Sequence, residues 1–209
     1  MHSASIADIL RRAVVIPVLT IERAEDAVPL GRALVEGGLT VLEITLRTDV
    51  ACEAIRRMKA EVDGAVIGAG TLLNVRDLDR AQEAGAEFFV SPGLGDSLTR
   101  AAIDRGAAYL PGVATATEML RGLDLGLTHF KFFPAEQLGG PAALKAFAGP
   151  LPQCRFCPTG GITEENATSY LALDNVVCTG GVWMASSDLV DAKNWREITA
   201  RACKSAVLR

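Results

Sequence analysis

The chain has 209 residues, 49% hydrophobic and 22% charged, proportions that suit a globular protein with a sizeable core. Its formal charge of -4 argues against nucleic acid or an anionic membrane as a partner. The sequence holds no apolar run of about 18 residues for a membrane span, and no basic segment followed by an apolar one marks a secretory signal at the N-terminus. A cytoplasmic location is therefore the expectation.

Short apolar runs alternate with amphipathic stretches along the whole chain. A leading helix is predicted over 4–13, then a strand over 14–19 and a helix over 23–36 stopped by Gly37-Gly38. A second strand over 41–45 and a helix over 50–62 follow. The third strand covers 65–69, and Asn74 caps the helix that runs to about Ala84. The fourth strand, 88–91, closes at Pro92-Gly93 and precedes a helix over 96–105. The fifth, 108–110, is stopped by Pro111-Gly112, and its crossover helix covers 115–123.

The sixth strand, 128–133, leads into a helix over 141–147 that opens with proline. The seventh, 155–157, is followed by a helix capped by Thr163 and reaching Leu171. The eighth begins at 176–178 and ends at Gly180-Gly181, before a last helix over 193–206. Eight strand–helix units without a linker predict one α/β domain over 1–209, a (β/α)₈ TIM barrel with an extra N-terminal helix. The competing fold, an open doubly wound sheet, needs a glycine-rich dinucleotide turn after the first strand. Leu19-Thr20-Ile21-Glu22 is not one.

The five cysteines, an odd number in a chain of this length, do not suggest a disulfide framework. Cys154 and Cys157 form a C-x-x-C pair, but on a strand they point to opposite faces and do not converge on a metal. With His2 and His129 as the two histidines, a multi-histidine metal site cannot be built. No metal and no cofactor is expected.

The chemistry concentrates on His129-Phe130-Lys131-Phe132-Phe133. An extended chain alternates faces, so Phe130 and Phe132 share one face and His129, Lys131 and Phe133 share the other. A charged ammonium buried among phenylalanines costs several kcal/mol unless it is paired or gives up its proton. A neutral amine in such a pocket is a nucleophile suited to a Schiff base with a carbonyl substrate. On the second strand Leu42 and Ile44 face the helices and Glu43 faces the interior. The second and sixth strands lie opposite one another in a barrel, so Glu43 and Lys131 can meet.

Functional groups in such a barrel sit at the carboxyl ends of strands. Arg47, just beyond the second strand, is placed to hold a substrate carboxylate. Thr71 offers a hydroxyl after the third strand, and Pro92 shapes the end of the fourth. Thr159-Gly160-Gly161 and Thr179-Gly180-Gly181 end the seventh and eighth strands with glycine pairs whose backbone N–H groups can approach an anion.

These stretches resemble the bacterial 2-keto-3-deoxy-6-phosphogluconate (KDPG) aldolases, whose members also cleave 4-hydroxy-2-oxoglutarate. The resemblance is carried by Val41-Leu42-Glu43-Ile44-Thr45-Leu46-Arg47-Thr48, Gly68-Ala69-Gly70-Thr71 and Ser91-Pro92-Gly93-Leu94. It continues in Phe130-Lys131-Phe132-Phe133-Pro134-Ala135-Glu136 and Arg155-Phe156-Cys157-Pro158-Thr159-Gly160-Gly161-Ile162. It implies that Lys131 forms the Schiff base and Glu43 is the general acid/base. Arg47 and Thr71 would bind the pyruvyl carboxylate, with Pro92 and Phe133 lining the substrate. Thr159, Gly160, Gly161, Gly180, Gly181 and residue 182 would meet the phosphorylated half. It further implies a homotrimer of barrels that needs no metal.

One position departs from the pattern. Where many members carry a phosphate-binding serine, this chain has Val182. A hydrogen bond to a charged group is worth about 1.5–3 kcal/mol, so the departure bears on substrate preference. The expected partner is a small keto-acid phosphate cleaved to pyruvate and an aldehyde. The competing functions are a phosphate-binding isomerase or epimerase that uses Glu43 and Lys131 for proton transfer alone, and a non-catalytic metabolite-binding barrel. A closer alternative keeps the chemistry but prefers the non-phosphorylated substrate.

Overall fold

The computed structural model describes residues 4–208; residues 1–3 and 209, with His2 among them, lie outside the described residues. Its strands are β1 (Val15–Leu19), β2 (Val41–Thr45), β3 (Val66–Gly70), β4 (Phe88–Val90), β5 (Tyr109–Leu110), β6 (Gly112–Val113), β7 (His129–Phe132), β8 (Arg155–Pro158) and β9 (Thr179–Gly181). Every pairing between them is parallel. Parallel neighbours need long crossovers, and helices between the strands supply them. The result is an α/β fold whose six-stranded sheet, ordered β5-β4-β3-β2-β1-β9, curls as a half-barrel. A second parallel sheet runs β6-β7-β8.

The fifth predicted strand does not stop at Pro111. It breaks there into β5, which pairs with β4, and β6, which pairs with β7. Proline has no N–H to donate, but its carbonyl still accepts the Lys131 N–H at 2.8 Å. Gly112 is required by crowding, because a Cβ there would lie 2.2 Å from the Pro92 carbonyl carbon. At the other edge, isolated parallel bridges Phe156↔Val176 and Thr159↔Gly180 link β8 to the segment that becomes β9.

Strand alternation sorts the core. Leu19, Leu42 and Ile44 pack outward against the helices Ala27–Glu36 and Ala51–Glu61. Ile16, Val41, Val66 and Phe88 pack on the opposite side with Ile9, Leu10 and Ala13, so the helix Ile6–Arg11 lies under the amino ends of the strands. Phe130, Phe132 and Phe156 form a third cluster with Met119, Leu144 and Tyr170.

Several helix boundaries move from their predicted places. The leading helix is shorter, Ile6–Arg11, and the predicted 23–36 helix opens with a 3-10 turn at Ala24–Asp26. The last helix begins at Trp195, capped by the Asn194 side chain, and a short helix Ser187–Asp191 precedes it. Thr115 forms a full capping box with Glu118. Thr163 is not the N-cap of its helix, which spans only Ala167–Leu171. Thr163 and Asn166 instead bond each other reciprocally across a turn.

Candidate active site

Lys131 and Glu43 meet. Lys131 Nζ donates to Glu43 Oε1 at 3.1 Å, with the lysine 6% and the glutamate 4% exposed. The pairing follows from the alternation on both strands, since Phe130 and Phe132 are fully buried on the helix-facing side of β7. Glu43 has room because β3 presents glycine beside it. A Cβ on Gly70 would lie 2.1 Å from Glu43 Oε1. The Phe133 ring completes the pocket, with Lys131 Nζ 5.5 Å from its centroid, where the ring face attracts a cation. An ion pair held away from water is a proton-transfer pair as much as a structural one.

Above this pair, Arg47 is exposed at the exit of β2, and its Nε donates to Thr71 Oγ1 at 3.1 Å. The guanidinium and hydroxyl converge on one place, as a carboxylate site requires. Thr71 stands at φ +62°, in the left-handed region. That conformation costs a non-glycine residue about 1–2 kcal/mol, and a β-branched one is a genuine outlier there. Pro92 follows Ser91, whose buried hydroxyl donates to the Gly93 carbonyl at 2.7 Å and lies 2.6 Å from the Tyr109 hydroxyl. Since the Ser91 proton goes to the carbonyl, Tyr109 donates to Ser91, and burial holds its phenol above the ordinary range.

The opposite rim is the loop after β8. Thr159 is 7% exposed, and its N–H donates to the Phe132 carbonyl at 2.9 Å. Its own carbonyl accepts the Ala135 N–H at 2.9 Å, and that of Gly160 accepts Glu136 N–H at 3.1 Å. Gly160 and Gly161 both lie at positive φ, +103° and +74°. In β9, a Cβ on Gly180 would meet Thr159 Oγ1 at 2.3 Å, and one on Gly181 would meet the Trp183 ring at 1.8 Å. Val182 follows them with its apolar side chain 57% exposed.

A family model described as KDPG and KHG aldolase matches residues 6–201. The chain belongs to this family. It is 53% identical to the 2-dehydro-3-deoxy-phosphogluconate aldolase of Zymomonas mobilis over 98% of this chain and 96% of that one. It is 48% identical to the KHG/KDPG aldolase of Escherichia coli K12 over 95% and 93% of the two chains. Among solved structures, the Zymomonas mobilis KDPG aldolase with 3-phosphoglycerate superposes with a TM-score of 0.95 at 52% identity, covering 100% of this chain and 98% of that one. The Legionella pneumophila KDPG aldolase, with pyruvate captured as a covalent carbinolamine intermediate, gives 0.96 at 40% identity, covering 98% and 100%.

Within this aldolase-family chain, the expected helix start at Thr163 is corrected. The helix after Thr163 starts at Ala167 and runs five residues, so its dipole does not begin at the glycine loop. The Asn166 amide instead donates to the Gly161 carbonyl at 3.1 Å and fixes that loop directly. Among the described residues, no group of three or more His, Cys, Asp or Glu side chains comes together as a metal site. Cys154 and Cys157 are free thiols in separate core clusters, as their opposite faces require.

Two further groups have no sequence signal. The buried Tyr170 donates a short hydrogen bond to Glu136 Oε1, in the turn after the Lys131 strand. Burial, followed by the hydrogen bond to Glu136 and then its charge, raises the tyrosine well above its ordinary value. Thr20 and Thr45 lie with their hydroxyl oxygens 3.0 Å apart at the exits of β1 and β2. Both contacts join residues far apart in sequence, and alternation alone does not pair them.

Proposed function

We propose that this chain is a class I aldolase. It cleaves 2-keto-3-deoxy-6-phosphogluconate to pyruvate and glyceraldehyde 3-phosphate, and 4-hydroxy-2-oxoglutarate to pyruvate and glyoxylate. The observation that carries the reading is the buried Lys131 ammonium, 3.1 Å from Glu43 and beneath the Arg47–Thr71 pair. The relatives named for this activity support it, as does the carbinolamine described for the Legionella enzyme.

Glu43 takes the ammonium proton and frees the amine. Lys131 Nζ attacks the ketone carbon, and Glu43 returns its proton to the carbinolamine hydroxyl, which leaves as water to give an iminium ion and a Glu43 carboxylate. That cation draws in the electrons of the bond between carbons 3 and 4, leaving an enamine. Glu43, through a water, accepts the carbon-4 hydroxyl proton as the aldehyde departs. The same proton then returns to carbon 3, and hydrolysis releases pyruvate and the amine. Arg47 and Thr71 hold the carboxylate throughout, which fixes the ketone against the amine. Pro92 and Phe133 line the reacting carbons, while Thr159, Gly160, Gly161, Gly180, Gly181 and Val182 surround the far half.

The two sheets are read as one closed (β/α)₈ barrel in a single domain over 1–209, behind an extra N-terminal helix. β5 and β6 count as one interrupted strand, and the Thr159↔Gly180 bridge supports closure at the other seam. The family resemblance supports a homotrimer, for which exposed Leu73 and Leu120 offer apolar surface. It also supports a cytoplasmic location. Among the described residues no helix is long and apolar enough to cross a membrane.

Borohydride reduction in the presence of pyruvate tests the chemistry. The expected product is a covalent adduct of pyruvate on the Lys131 peptide, and Lys131→Ala loses both adduct and cleavage. Full cleavage activity in Lys131→Ala sinks the proposal and leaves the isomerase or binding-protein readings.

A further inference from the structure

We propose that Thr20 is a specificity residue that accepts a hydrogen bond from a hydroxyl on the aldehyde half of the substrate. The inference rests on the aldolase reading and sharpens which substrate that site prefers. β1 and β2 pair Val18 with Glu43 and Leu19 with Ile44, so Thr20 stands beside Thr45 one residue further on. Thr45 is two residues beyond Glu43 and shares its face. Thr20 therefore lies on the Glu43 and Lys131 side of the sheet, nearer the mouth, where it is exposed to solvent.

The direction of its hydrogen bond is fixed by a proton count. Thr45, fully buried, places its Oγ1 2.9 Å from the Leu19 carbonyl oxygen. A carbonyl cannot donate and a hydroxyl carries one proton, so the Thr45 proton goes to Leu19. The 3.0 Å contact between the two threonine hydroxyls then takes its proton from Thr20. The reverse arrangement would leave two buried oxygens facing each other without a proton between them. With its proton committed, Thr20 offers the site lone pairs and no donor.

An acceptor-only group discriminates between the two candidate substrates. The aldehyde half of the phosphorylated sugar acid carries a hydroxyl beyond carbon 4, which can donate. The corresponding carbon of 4-hydroxy-2-oxoglutarate is a carboxylate, which can only accept and is repelled. Val182 follows Gly181, and Gly181 pairs with Pro17 of β1. The arc that lacks a hydroxyl at Val182 thus gains one at Thr20, facing a different group of the same substrate.

The test is the ratio of kcat/KM for 2-keto-3-deoxy-6-phosphogluconate to that for 4-hydroxy-2-oxoglutarate, measured in wild type, Thr20→Val and Thr20→Ser. Valine keeps the β-branched shape and removes the hydroxyl. One neutral hydrogen bond corresponds to a fall in the ratio of about 3- to 10-fold, and serine restores it. Borohydride trapping with pyruvate, which lacks the aldehyde half, continues in Thr20→Val and reports a working Lys131. An equal loss on both substrates, or no change in the ratio, overturns the assignment while the aldolase reading stands. A wild-type protein that cleaves neither substrate overturns both.

Discussion

Gly70→Ala tests the geometry of the site more directly than removal of either charged partner. Gly70 ends β3 and pairs with Thr45, and its backbone lies outside the left-handed region, so alanine meets no dihedral penalty. The obstacle is the Glu43 side chain. The added methyl would stand 2.1 Å from Oε1 and 2.7 Å from the carboxyl carbon. Carbon–carbon contacts settle at about 3.5–4.0 Å, so the carboxylate must retreat by about 1 Å. A misplacement of that size in a reacting group costs about 100-fold in rate. Overpacking of a buried strand costs about 1–3 kcal/mol of stability, partly offset by about 0.4–1 kcal/mol from the stiffer unfolded chain. The expected variant is folded, slightly less stable and about 100-fold slower in kcat for pyruvate release. It should still form the borohydride-trapped adduct, more slowly, because Lys131 keeps its place. A lactate-dehydrogenase-coupled assay gives kcat, and a denaturant titration gives the stability. A variant that turns over within twofold of wild type would show that Glu43 is not the proton-transfer group.

Other consequences follow from single positions. Val182→Ser places a hydroxyl beside the glycine pairs and should raise kcat/KM for the phosphorylated substrate over the non-phosphorylated one. A charge-assisted bond makes the expected change about 10-fold or more, and an unaltered ratio would remove residue 182 from the phosphate site. His129 is half-buried, and burial, then the charges of Arg11 and Arg155, depress its protonation. Its folded value therefore lies below the unfolded one of about 6.5. The linked stability is present above that pH and lost as pH falls through the folded value. His129→Gln should show a smaller drop in denaturant midpoint between neutral and mildly acid solution, and an identical drop would refute the linkage.

The parallel α/β order was legible because short apolar runs alternate with amphipathic stretches, and β2 is found where its pattern puts it. The Lys131–Glu43 pair was legible too, since alternation on two facing strands leaves few partners for a buried ammonium. The division at Pro111 was not, because Pro-Gly reads as a stop unless the Lys131 N–H that bonds the proline carbonyl is known. Thr71 was expected as a hydroxyl, but its left-handed backbone was not, since the chain offers glycine at Gly70, immediately before it, and places the strain on the threonine. Thr163 reads as an N-cap, yet the reciprocal bond with Asn166 holds a turn and delays the helix to Ala167. The Thr20–Thr45 and Tyr170–Glu136 contacts join distant chain segments and have no local pattern at all.

The pairing of β1 with β9, Val15 opposite Thr179, has a consequence for biosynthesis. β1 leaves the ribosome long before β9, and its outer edge has no partner until residues near 179 emerge. At about 5–20 residues per second, that interval lasts on the order of 8–30 s. Throughout it, the run Val-Ile-Pro-Val-Leu presents an apolar, unpaired strand edge. Alternation from the Thr179 N–H bond to the Val14 carbonyl turns Ile16 and Val18 toward that edge and Pro17 toward β2, so the proline does not blunt it. The edge that β9 finally covers is thus a hazard of the nascent chain that the finished sheet no longer shows.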